Sequence, residues 1–149
     1  MSDEIWELLA KAIDAAAVRV SNLSYDECLA ELAQIEEKFL CREDGNPKFM
    51  LETQRRVAEN RVYAAALKRQ GYDEIRRQFT RLRSLGFTDI SQEYTYVSVI
   101  YRYYCEVGEI QESLSVLKAF HESLETNISA ATFIKERIAT AIAEVEASQ

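Results

Sequence analysis

Apolar side chains return along this chain at intervals of three and four, the spacing that gathers them on one face of an α-helix. Ile5, Leu9, Ala12, Ile13, Ala16 and Val20 predict a first helix from about Asp3 to Val20, capped by Ser2 or Asp3. After the break at Ser21–Ser24, the pattern Ser24-x-x-Glu27 predicts a capping box. It opens a second helix carrying Cys28, Leu29, Leu32, Ile35, Glu36, Phe39 and Leu40. The run Arg42-Glu43-Asp44-Gly45-Asn46-Pro47 is the plainest loop in the chain. A third helix is expected from Pro47 to Gln70, with Phe49, Leu51, Val57, Val62, Tyr63, Ala66 and Leu67 as its apolar positions and Gly71 as its stop. The fourth runs from Tyr72 to Leu85 on Ile75, Phe79, Leu82 and Leu85, and Gly86 closes it. Asp89 or Ser91 opens a fifth that reaches Val107. A sixth covers Glu109 to Glu125, and Ser129 is expected to cap a seventh bearing Phe133, Ile134, Ile138, Ala141, Ile142 and Val145.

Composition agrees with an all-α fold of about seven antiparallel helices. Four glycines and one proline in 149 residues are too few for the many tight turns of a sandwich or barrel. The length suits a single helical-repeat-like domain over residues 1–149. Short connections make neighbouring helices antiparallel hairpins. These can stack side by side or close into a bundle, and the pattern leaves both open.

Cys28, Cys41 and Cys105 form no CxxC pair, and an odd, scattered set fits a reducing compartment better than a disulfide framework. The acidic N-terminus does not read as a signal peptide, and no run approaches the roughly 18 apolar residues of a membrane-spanning helix. A cytoplasmic protein without membrane attachment is the expectation.

The net charge of −7 is unevenly spread. Residues 1–54 hold 5 basic and 12 acidic side chains, residues 55–83 hold 9 and 3, and residues 84–149 hold 4 and 10. The basic run either solvates two helix faces or receives an acidic segment, from this chain's own ends or from a partner.

An internal echo favours stacked hairpins. The segments Val62–Ile75 and Val99–Glu112 each read as an apolar helix, a glycine turn and an acidic helix start, with Gly71 and Gly108 37 residues apart. Tyr104, Gly108, Glu109, Ser113, Leu117 and Phe120 resemble the tetratricopeptide repeat, which has an aromatic late in its first helix, a glycine and acidic turn, then a small residue before an apolar pair. Residues 70–74 match partly, and the stretch from Tyr96-Val97-Ser98 to Val116-Leu117 also resembles the RNA-binding pentatricopeptide repeat. The interval is longer than the usual repeat of about 34 residues, and residues 1–46 carry helices without the motif.

The resemblance implies that the first helix of each hairpin lines a concave groove. The fifth helix is apolar on two faces, with Tyr94, Val97, Ile100, Tyr101 and Tyr104 on one and Tyr96, Val99 and Tyr103 on the other. Its remaining strip is Thr95, Ser98, Arg102, Cys105 and Glu106. The matching face of the third helix would present Arg61, Ala65, Lys68 and Arg69. The candidate partner-binding residues are therefore Arg61, Lys68, Arg69, Ser98, Arg102 and Glu106, in a partly basic groove suited to an acidic or carboxylate-ended peptide.

Enzyme chemistry finds little purchase. His121 is the only histidine, which excludes histidine-based triads and paired-histidine zinc sites; its place late in the sixth helix suits the helix dipole. The acidic pairs Glu36-Glu37, Glu43-Asp44 and Asp73-Glu74 read as solvated faces and helix starts. Cys105 near Arg102 lacks a histidine partner, and no phosphate-binding or nucleophile-elbow motif occurs. The tyrosines of the fifth helix fall at core spacing, and the overall charge argues against a backbone-dominated nucleic-acid binder. The expected role is a non-enzymatic protein–protein interaction module, adaptor or chaperone-like, without metal or cofactor. An RNA-binding helical repeat and a structural homodimer are the alternatives.

Overall fold

The computed structural model describes residues 3–41, 46–87, 89–125 and 131–149. Among these the chain is all-α, with seven helices and no strand. They are α1 (Asp3–Arg19), α2 (Tyr25–Leu40), α3 (Pro47–Leu67), α4 (Tyr72–Leu85), α5 (Ile90–Glu106), α6 (Ile110–Glu125) and α7 (Thr132–Ala147).

Local side-chain chemistry sets three of the starts, those of α2, α3 and α5. Ser24 forms both halves of the capping box with Glu27, satisfying two donors at the head of α2. Asn46 Oδ1 accepts from the Lys48 and Phe49 amides at 2.9 and 3.4 Å, while Pro47 takes the first position of α3, where its missing N–H costs nothing. Asp89 accepts from Gln92 N at 2.8 Å and opens α5. Helix α7 begins with Ala131 as its N-cap. The expected caps Ser2 and Ser129, the Asp3 side chain and the loop residues Arg42–Gly45 lie outside the described residues.

Two helix ends close alike, and one of them, that of α3, differs from expectation. Helix α5 closes with Glu109 N donating to Tyr104 O at 2.8 Å and Gly108 N to Cys105 O at 3.2 Å, with Gly108 at φ 84°. This is a Schellman motif with glycine in the left-handed position. Helix α3 closes identically, through Gln70 N to Ala65 O at 2.9 Å and Arg69 N to Ala66 O at 3.1 Å. Here the left-handed residue is Arg69, at φ 51°. Gly71 is not the stop of α3: it is the N-cap of α4, in extended backbone at φ −63°. The two glycines that echo each other in sequence thus occupy different positions in their turns, and the α3–α4 turn is one residue longer than the α5–α6 turn.

The chain divides into two compact units, Met1–Gly86 and Phe87–Gln149. In the first, α2 and α4 both pack on α3, and α1 packs on α2 and α3. Leu9, Ile13, Ala16, Leu32, Phe39, Phe49 and Val57 form its main cluster, with Trp6 packed edge-on against Phe49 at 4.8 Å. Val20, Cys28 and Ala64 form a second cluster; Ile75, Phe79 and Leu82 bury the inner stripe of α4. In the second unit α6 is central, packing against α5 and α7. Its Ser113, Leu114, Val116, Leu117, Phe120 and Leu124 are all buried, as are Val97, Ile100 and Tyr104 of α5 and Ile134, Ile138, Ala141 and Val145 of α7.

The orientation of α3 corrects the reading of its pattern. Leu51, Tyr63 and Leu67 are 37, 47 and 45% exposed, whereas Thr53, Ala64 and Ala65 are fully buried. Phe49, Val57 and Val62 are buried as the spacing predicts, and small side chains such as Ala58, Ala64 and Ala65 fill the rest of the inner face, because α3 has helices close on several sides. The expected second apolar face of α5 is likewise incomplete, since Val99 is 45% exposed.

Candidate functional site

In the second unit, α5 and α7 both rest on α6 and leave an open groove of about 360 Å³ between them. Tyr94, Tyr101 and Arg102 line it from α5; Glu136, Arg137, Thr140, Ala141 and Glu144 line it from α7. The lining follows from helical spacing: 137, 140, 141 and 144 fall on one stripe of α7, at intervals of three and four. Ala141 is buried in the floor, Tyr94 and Tyr101 are half-buried, and both arginines are exposed.

Arg102 is braced by its own helix. Its guanidinium lies 5.9 Å from the Tyr101 ring centroid, and hydrogen bonding to the Tyr101 side chain, with that ring's proximity, pushes its pKa further up. It is a permanent cation at any ordinary pH. Among the described residues no carboxylate forms an ion pair with Arg102 or Arg137. The groove therefore offers two arginine charges, two half-buried tyrosines and a small-residue floor, with Glu136 and Glu144 setting polarity along the α7 wall.

The residues nominated by sequence separate into three groups. Ser98, Arg102 and Glu106 share one stripe of α5 at intervals of four; Ser98 is half-buried, Glu106 is exposed, and Arg102 lines the groove. Cys105 turns away from them, with Sγ 3.2 Å from Ser113 Oγ, and the Ser113 hydroxyl donates to Tyr101 O at 2.9 Å. Arg61 and Lys68 are engaged within the first unit. Arg61 Nη2 lies 2.8 Å from Glu36 Oε2, with side chains only 11 and 15% exposed, and Arg81 Nη2 approaches Glu36 Oε1 at 3.7 Å. Glu36 Oε2 receives no directed hydrogen bond, so this contact is chiefly coulombic. Lys68 Nζ donates to Ser21 O at 3.1 Å, tying the end of α3 to the α1–α2 turn. Arg69 alone of the three is exposed.

Two acids expected on solvated faces have internal work instead. Glu36 is the shared counter-ion just described. Glu74 accepts from Tyr25 Oη at 3.1 Å, Gln78 Nε2 at 2.9 Å and Arg77 Nη2 at 2.6 Å, joining α2 to α4. Burial pushes the Glu74 carboxyl up, but these hydrogen bonds outweigh it, and its pKa ends below the ordinary range. Burial and the neighbouring Glu74 charge push the Tyr25 phenol up to about 12. Much of the basic run over 55–83 is thus tied to neighbours inside the first unit.

A larger groove, of about 530 Å³, lies between α1 and α2 over Ala12, Leu23, Ala30 and Ile35. An Arg19–Glu31 ion pair at 3.3 Å spans its walls and satisfies both charges. The described cysteines are all free thiols, and His121 Nδ1 sits 3.6 Å from Glu125 Oε1. No group of three or more metal-ligating side chains occurs among the described residues, and none of the described helices is long and apolar enough to cross a membrane. Comparison with protein-family models, with characterised proteins and with solved structures returned no match.

Proposed function

We propose that the chain is a non-enzymatic protein–protein interaction module that seats an extended partner segment along the α5–α7 groove. The observation that carries this reading is the pair Arg102 and Arg137 on opposing walls, with no carboxylate paired to either among the described residues. Guanidinium forks match carboxylates in bidentate geometry, and the flanking tyrosine rings add apolar contact at small entropic cost. The partner segment carries at least one acidic side chain, or a terminal carboxylate, beside an aliphatic or aromatic residue. Ser98 and Glu106 extend the contact along α5. The tetratricopeptide resemblance supports the same face, because α5 would be the groove-lining helix of its hairpin. The role of Arg61 and Lys68 under this reading is to hold the first unit together.

A photo-crosslinking residue at Thr140, on the groove wall, tests the proposal in cells. A discrete protein adduct is expected, reduced at least tenfold by R102E/R137E at unchanged helicity. No adduct, or one indifferent to those substitutions, refutes the groove. An adduct abolished by nuclease would favour the RNA-binding alternative.

A further inference from the structure

A second surface is built on α4. Its buried stripe is Ile75, Gln78, Phe79 and Leu82, so the exposed remainder is Asp73, Arg76, Arg77, Thr80, Arg81, Arg83 and Ser84. Arg69 is exposed on the turn that leads into it. From this face we propose that Arg69, Arg76 and Arg83, with Arg77 and Arg81 beside them, dock an acidic segment of a protein partner.

Three observations support the assignment. First, the nearby acids neutralise the face only in part, at Arg77 and Arg81, and among the described residues no ion pair involves Arg69, Arg76 or Arg83. Glu36 is shared between Arg61 and Arg81, and Glu74 already accepts from Tyr25, Gln78 and Arg77. Arg83 is held over the Phe79 ring at 5.7 Å, so its guanidinium is positioned without a counter-ion of its own in that contact. Second, Arg69 occupies a left-handed position where glycine is lower in energy, and the equivalent turn of the second unit has Gly108 there. Keeping an exposed arginine at a strained position points to a use for its side chain. Third, every cation on α4 is arginine, the residue whose planar fork suits carboxylate or phosphate.

The same face discriminates among anions. None of the large exposed hydrophobic side chains lies on α4, so nothing there can insert into a lipid surface. Its outward positions hold no aromatic ring on which a base could stack. What remains is a row of exposed guanidinium groups for carboxylates on a polypeptide.

The test uses the full-length protein at low salt and a fluorescein-labelled octaglutamate peptide, with binding read by anisotropy. A single-stranded RNA dodecamer and phosphatidylserine-containing vesicles serve as competitors. The expected result is saturable binding of octaglutamate that falls about tenfold in R69G/R76Q/R83Q and much less in the charge-matched K11Q/K48Q/K118Q, whose lysines lie away from both surfaces. R69G alone should weaken binding while raising the unfolding midpoint, which separates loss of contact from loss of fold. R69K should recover only part of the affinity, since lysine keeps the charge without the planar fork. Three results would overturn the proposal: no octaglutamate binding by the parent chain, equal binding by the triple variant, or displacement by RNA or vesicles at lower concentration than by unlabelled peptide. Because R69G/R76Q/R83Q leaves Arg102 and Arg137 in place, failure here leaves the α5–α7 groove to be judged on its own crosslink.

Discussion

The two glycines that match in sequence should respond to substitution in opposite ways. Gly108 is at φ 84°, and a Cβ added there meets nothing within 4 Å, so alanine would cost only backbone strain. A left-handed L-residue is disfavoured by roughly 1–2 kcal/mol, and removing a glycine recovers roughly 0.5–1 kcal/mol of unfolded-chain entropy. Gly108→Ala should therefore destabilise by about 0.5–1 kcal/mol. Arg69→Gly runs the same balance in reverse and should stabilise by about 0.5–1 kcal/mol. Gly71, at φ −63° with open space around its Cα, carries no such strain. Gly71→Ser supplies a capping oxygen for α4 as well as a stiffer unfolded chain, a gain of about 0.5–1 kcal/mol. Urea unfolding followed by circular dichroism resolves these values, since a slope of about 2 kcal/mol/M turns them into midpoint shifts of about 0.3–0.5 M. If the Gly71 and Gly108 variants move the midpoint in the same direction, or if Arg69→Gly lowers it, the distinction between the two turns is wrong.

Two other substitutions test the internal networks of the first unit. Arg61→Met leaves the largely buried Glu36 with only the 3.7 Å approach of Arg81. It should cost about 2–3 kcal/mol by urea unfolding, and adding Glu36→Gln should restore part of that; a cost under about 0.5 kcal/mol would show that the pair is dispensable. Tyr25→Phe deletes the bond to Glu74, a loss of about 1–2 kcal/mol at neutral pH. Tyr25 titrates at about 12 in the folded chain against an ordinary 10.0, so the fold favours the neutral phenol. Its contribution is complete below pH 10.0 and is lost as pH rises towards about 12. Alkaline unfolding should thus be steeper in the parent than in the phenylalanine variant, and parallel curves would contradict the network.

What the sequence made legible was local. Seven helices were readable because apolar spacing and caps act within a few residues: Ser24 with Glu27, Asn46-Pro47 and Asp89 all start helices as their side-chain chemistry requires. The end of α3 was misplaced because glycine is the usual left-handed residue, and nothing in the string announces that Arg69 takes that position. Its orientation was misread because hydrophobicity ranks Leu51, Tyr63 and Leu67 above Ala64 and Ala65, whereas close helix packing selects for size. Glu36 looked solvated beside Glu37 because its counter-ions, Arg61 and Arg81, belong to other helices. Arg102 is nominated by its place on a polar strip, but Arg137, which lines the same groove, is not, because only folding brings α7 alongside α5.

The edge-on packing of Trp6 against Phe49 has a practical consequence. Trp6 is the only tryptophan in the chain and lies in the first unit, whereas five of the eight tyrosines lie on α5 in the second. Fluorescence excited at the red edge, where tyrosine is silent, therefore reports the seating of α1 on α3 alone. The near-ultraviolet dichroism of the tyrosines is weighted towards α5. The molecule carries its own pair of optical labels, one per unit. Comparing the two signals along a single denaturation curve shows whether the halves melt as one cooperative body or in sequence, without attaching any dye.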